Sequence, residues 1–191
     1  MILSSILDNS SHLHNEIIKF VDDRPILIVG SSKDISHIKV EFPVVVRINS
    51  SRRWGDCDIW FNNYCNGLQE HYASSGSGEE KYIIRGNGDR EGSNMIRNFP
   101  PEWHDKTLFW HPAHWETMVE EIEIPRPLTG TIATYWFHKY TKSDIFLLNF
   151  DFYRTVKTHT IRGIKQPAPC HSPELDENWI ASLDRIQSVQ T

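Results

Sequence analysis

Ile26-Leu27-Ile28-Val29-Gly30-Ser31-Ser32 is a short, uninterrupted apolar run that stops at a glycine. Four consecutive aliphatic residues without polar alternation predict a strand buried on both faces, the habit of a central strand in a parallel sheet. A strand of that kind running into Gly-Ser-Ser makes a tight turn at the carboxyl edge of the sheet. Backbone N–H groups there can approach a phosphate or a ribose. The stretch is neither GxGxxG nor a Walker loop, which disfavours the ordinary dinucleotide and P-loop readings. A plain structural turn is the competing reading of the same residues.

Working outward, Ile6 to Val21 carries a loose helical stripe of apolar residues, and Arg24-Pro25 stops it. After a loop and a short helical turn around Lys33 to Ile38, Val44-Val45-Val46-Arg47-Ile48 reads as a second strand. Asp58 to Phe61 reads as a third, Lys81 to Arg85 as a fourth and Leu108-Phe109-Trp110 as a short fifth. Ser74 to Glu80 and Gly86 to Ser93 are permissive loops, the second followed by Met95 to Phe99. Trp115 to Glu121 fits a helix with Glu116, Glu120 and Glu121 outward. Thr129 to Tyr140 fits another after Pro127, and Ile145 to Phe150 is the last strong strand. Glu177 to Val189 fits an amphipathic helix bearing Trp179, Ile180, Leu183 and Ile186. Strands alternating with helices predict an α/β fold, a three-layer α/β/α Rossmann-like sandwich around a mainly parallel sheet. No repeat or boundary divides the chain, so residues 1–191 are expected to form one domain.

Composition narrows the function classes. Hydrophobic residues make up 39% and charged residues 24% of the chain, an ordinary globular balance. A net charge of −5 argues against a general grip on nucleic acid, which needs a basic face. Arg47, Arg52 and Arg53 form either a local phosphate pocket or a solvated surface cluster. Cys57, Cys65 and Cys170 lack CxxC pairing and zinc spacing, and an odd, sparse set reads as reduced thiols in a cytoplasmic protein. Met1 to Phe20 has no basic region and no long apolar run, so neither a signal peptide nor a membrane span is expected.

Four features carry chemistry. Gly30, Ser31 and Ser32 are the first. Asn49, Asn62 and Asn63 are the second, standing at the ends of the second and third strands, where paired amides can meet a ligand in one crevice or simply serve as turn residues. The third is Arg126-Pro127-Leu128-Thr129-Gly130, with Thr129 as a natural N-cap and Gly130 in a first turn whose N–H groups suit an anion or simply begin a helix. The fourth is His171-Ser172-Pro173-Glu174-Leu175-Asp176-Glu177, in which His171 suits a general base or serves as a structural histidine. His159 lies twelve positions earlier. His111, His114 and Glu116 do not match a recognised zinc pattern, and no metal site is expected.

In that order and spacing these features resemble the sialyltransferase family of glycosyltransferases. Ile26 to Asn63 is similar to the family's large motif, with Val-Gly-Ser-Ser where members carry Val-Gly-Asn-Ser, and with Val46-Arg47-Ile48-Asn49 close to Val-Ile-Arg-Met-Asn. Arg126 to Asp151 resembles the small motif, with Pro-Leu-Thr-Gly for Pro-Ser-Thr-Gly and Asp144 to Asp151 for a strand ending Gly-Phe-Asp. His171 with Glu177 at plus six resembles the very-small motif, a His followed about five residues on by Glu. The resemblance implies metal-independent, inverting transfer of a sialic-acid-like sugar from a CMP-sugar to a glycan or glycolipid hydroxyl, with no cofactor beyond that donor substrate. Ser31, Asn49 and the Thr129-Gly130 backbone would hold the nucleotide. His159 would meet a phosphate oxygen, His171 would take the acceptor proton, and Glu174 or Glu177 would orient it. Ser31 and Leu128 depart from the family's Asn and Ser. That leaves a catalytically silent nucleotide-binding or partner-binding domain, and a nucleotide-sugar hydrolase, as the alternatives.

Overall fold

The computed structural model describes residues 2–63, 79–85, 100–110, 112–152, 158–161, 164–167 and 171–189. Cys65, Cys170, His111 and the expected loops at 74–78 and 86–93 with the segment 95–99 lie outside those residues.

Helix α1 (Ile2–Val21) presents Leu13, Ile17 and Val21, spaced four apart on one face, to the core. It ends where Asp22 and Asp23 take positive φ, and Arg24 donates to the Phe20 and Val21 carbonyls that the helix leaves open. Strands β1 (Ile26–Val29), β2 (Val44–Ile48), β3 (Ile59–Asn62), β4 (Tyr82–Arg85) and β5 (Thr107–Phe109) follow in turn. Helices α2 (Pro112–Ile122) and α3 (Thr129–Tyr140) lead to β6 (Ile145–Leu148). The chain closes with a hairpin, β7 (Thr158–Ile161) and β8 (Ile164–Pro167), then helix α4 (Pro173–Ser182) and strand β9 (Ile186–Val189).

Seven strands form one sheet in the order β5-β4-β3-β2-β1-β6-β9, every neighbouring pair parallel. Register decides the layers. Ile28 pairs Val46 and Leu147, and Val46 pairs Ile59, so one alternate set of side chains shares a face. That set packs against Leu13, Ile17, Met118, Ile132, Trp136 and Ile180, which puts the four helices of the described residues on that side. The opposite set, including Leu27, Val29, Val45 and Trp60, is covered by Ile35, Ile38, Trp54 and Trp103 from irregular and 310-helical segments. The fold is therefore a Rossmann-like three-layer α/β arrangement. Helix α3 is its centre: residues 130–137 are buried without interruption, as expected of a helix enclosed on every side.

The short turn expected around Lys33 to Ile38 is closed by Ile38 N–H to Ile35 O at 2.9 Å. One expectation changes. The terminal helix stops at Ser182, and Ile186–Val189 becomes β9 beside β6. The spacing of Trp179, Ile180, Leu183 and Ile186 fits a helix, but Arg185 takes φ 56° and its guanidinium donates to the carbonyls of His138, Thr141 and Ser143. These bonds turn the chain into the free edge of the sheet.

Candidate functional site

Chain direction across the sheet reverses between β1 and β6: β2 to β5 build outward on one side of β1, β6 and β9 on the other. Ligands of open parallel sheets bind outside the carboxyl ends of the strands at such a switch point. The loop after β1 and the exit of β6 meet there. Gly30 N–H donates to Leu148 O at 2.8 Å. A side chain at Gly30 would place its Cβ 2.4 Å from Asn149 O, so only glycine permits this approach. Ser32 Oγ lies 2.7 Å from Asn149 Oδ1 and 2.8 Å from Asn149 O, and Asn149 Nδ2 donates to Gly30 O and Lys33 O. Ser31, between them, is exposed.

On the other flank, Asn49 leaves β2 in the left-handed region at φ 46°. Its Oδ1 accepts the Asn63 N–H at 2.9 Å, its Nδ2 donates to Thr129 Oγ1 at 3.0 Å, and its carbonyl accepts Trp60 Nε1. Asn63 Nδ2 approaches the same Thr129 oxygen at 3.5 Å. Ser51 Oγ bridges Val29 O and Ile48 O, tying the ends of β1 and β2 together. The structure thus brings Gly30, Ser31, Ser32, Asn49, Asn63, Thr129 and Gly130 to one edge of the sheet. Thr129 Oγ1 is approached by two amide N–H groups, which leaves its own proton to donate outward.

Thr129 is not the N-cap of α3. Leu128 holds that position, with no side-chain cap of its own. The cap comes from a distance: Asp176 of α4, fully buried, accepts the Leu128 N–H at 2.8 Å and the Thr131 hydroxyl on one oxygen, Oδ1. Its Oδ2 is buried with no hydrogen-bond partner among the described residues. Burial pushes the Asp176 carboxyl above the usual carboxylate range, against the opposing pull of the two hydrogen bonds and of His171. A negative group at a helix start opposes the partial positive charge there.

His171 stands at the entry to α4, half-buried, with Nδ1 2.8 Å from Arg126 O. A carbonyl can only accept, so Nδ1 carries the proton and Nε2 keeps a lone pair in the neutral ring. Asp176, at plus five, lies within electrostatic reach of His171. Glu177, one residue on, lies about 100° round the helix and is half-buried. Glu174 is exposed in the first turn. His159 sits in β7 opposite Gln166, and its side chain lies outside what the structure describes.

Asp176, Asn149 and Phe150 join the site without having been singled out in the sequence. Phe150 packs on Gly130, whose added Cβ would lie 2.3 Å from the ring. The arginines resolve differently from either expectation. Arg47 is buried and bonded to Asp56 O and Ser51 O; Arg52 is buried in a two-toothed pair with Glu80, its guanidinium over the Trp60 ring; Arg53 is exposed. Burial pushes the Cys57 thiol up to about 12, which removes it as a nucleophile near neutrality. No helix among the described residues is long and apolar enough to cross a membrane. Comparison with protein-family models, with curated proteins and with solved structures finds no match.

Proposed function

We propose that the switch-point crevice binds a CMP-sugar and that the protein transfers a sialic-acid-like sugar from it to the hydroxyl of a glycan or glycolipid, without a metal. The observation that carries this reading is the convergence of three sequence-distant groups at one sheet edge: the 30–32 loop, the Asn49-Asn63-Thr129 amide–hydroxyl network, and His171 beside the start of α3.

Each group has a task. The Thr129 hydroxyl and the first-turn N–H groups of α3 donate to the phosphate, whose negative charge grows as the glycosidic bond breaks. The 30–32 loop and the paired asparagines supply neutral donors and acceptors for the nucleoside. His171 Nε2 takes the acceptor proton as the acceptor oxygen bonds to the anomeric carbon. The CMP phosphate leaves from the opposite face with the electron pair, so configuration inverts. Arg126 O holds the ring in the tautomer that this requires.

The test is release of CMP from a CMP-sugar, with and without acceptors. Loss of a positioned base costs about 10²–10⁴-fold in rate, so His171→Ala should lose transfer by that factor and keep CMP binding. Unchanged turnover in His171→Ala removes His171 from the mechanism. Binding without release, across many acceptors, would identify a silent nucleotide-binding domain. Equal release without acceptor would identify a hydrolase.

A further inference from the structure

The exit of β6 does more at this edge than end a strand. Asn149 takes φ 64°, a left-handed conformation that asparagine and glycine tolerate. From that position its amide reaches across to the loop after β1, more than a hundred residues away in sequence. Nδ2 donates to Gly30 O at 3.0 Å and to Lys33 O at 2.8 Å, and Oδ1 accepts from Ser32 at 2.7 Å. The next residue, Phe150, presses on Gly30 and on Gly130 at the start of α3. Two adjacent residues therefore hold both walls of the switch point.

Resting on the nucleotide-binding reading above, we infer that Asn149 is a positioning residue: its amide fixes the 30–33 loop in the one conformation that offers Ser31 and the loop N–H groups to a nucleotide. The three bonds engage both amide donors and the carbonyl oxygen, which commits the Asn149 side chain to the loop. Its effect runs through the loop. A loop released from this clamp samples other conformations, and apparent affinity falls in proportion to the fraction still competent. A competent fraction of one in ten raises the dissociation constant about tenfold.

The separating variant is Asn149→Gly, which keeps the positive φ without strain and deletes all three side-chain bonds. Ser32→Ala deletes only one of those three, together with the hydroxyl's own contact to the Asn149 main-chain carbonyl. Amide hydrogen exchange of the 30–33 segment, measured on ligand-free protein, is expected to quicken at least tenfold in Asn149→Gly and less in Ser32→Ala. Exchange in β1 and α3 should stay unchanged. The dissociation constant for CMP is expected to rise about tenfold in Asn149→Gly, with donor KM raised and kcat retained. Unchanged loop exchange overturns the inference, and so does faster exchange with unchanged CMP affinity. A wild-type protein that binds no nucleotide contradicts the proposed function instead, and overturns the positioning role with it. The exchange arm then still reports whether Asn149 holds the loop.

Discussion

Gly130→Ala tests the seating of α3 against the exit of β6. In an ordinary helix this exchange stabilises by about 1 kcal/mol, and by less in a first turn. Here the added Cβ would lie 2.3 Å from Phe150 Cε1, 3.0 Å from Cζ and 3.2 Å from Cδ1. Ordinary contact begins near 3.4 Å, so the ring must retreat by about an ångström or swing out. Swinging out forfeits its packing on the main core cluster and beside Phe152. Overpacking of this kind costs about 1–3 kcal/mol. Set against the helical gain, Gly130→Ala should lose about 1–2 kcal/mol. Urea denaturation of wild type, Gly130→Ala, Phe150→Ala and the double variant closes a cycle. In the Phe150→Ala background the alanine should be neutral or stabilising, giving a coupling of about 1–2 kcal/mol. A Gly130→Ala protein as stable as wild type, or an equal cost in both backgrounds, would refute the ring as the cause.

Two further outcomes follow from buried charge. Arg52 and Glu80 are only 2% and 1% exposed, with Lys106 Nζ 2.9 Å from Glu80 Oε1. Glu80→Ala should therefore cost about 3–5 kcal/mol by stranding two cations, and a loss below about 1 kcal/mol would contradict that, again by urea denaturation. Asp176 is raised above the usual carboxylate range by burial. The folded state then holds its proton to higher pH than the unfolded chain, so stability falls as pH rises from the ordinary carboxylate value through the folded pKa, then levels. Subtracting the profile of Asp176→Asn should isolate that decline, and a difference that rises with pH would overturn the assignment.

The central strands were legible because their aliphatic runs are continuous, and Thr129 to Tyr140 because its helical residues follow Pro127 without a break. The edge strand β9 was not legible. Ile186 to Val189 is mostly exposed, and its apolar residues extend the stripe of the preceding helix. The residues gathered at the carboxyl edge of the sheet, from Gly30 to Gly130, were legible as strand-end and helix-start chemistry. The groups that position them were hidden, because their partners are remote in sequence. Asp176 caps a helix forty-eight residues away, and Asn149 clamps a loop on the far side of the chain. Nothing in local spacing distinguishes Asp176 from Glu177. The fold does, by turning one inward.

Ligand-dependent melting with CMP, UDP, GDP and ADP, repeated by calorimetric titration, tests the central claim that the switch point is a cytidine-nucleotide site. At a hundredfold excess over the dissociation constant a ligand stabilises by about 2.7 kcal/mol, which for a chain of this length is a rise of about 5–10 °C. CMP should give that rise and the other three little, and Thr129→Val should lose it. No rise with CMP, or a rise confined to UDP or GDP, would contradict that claim.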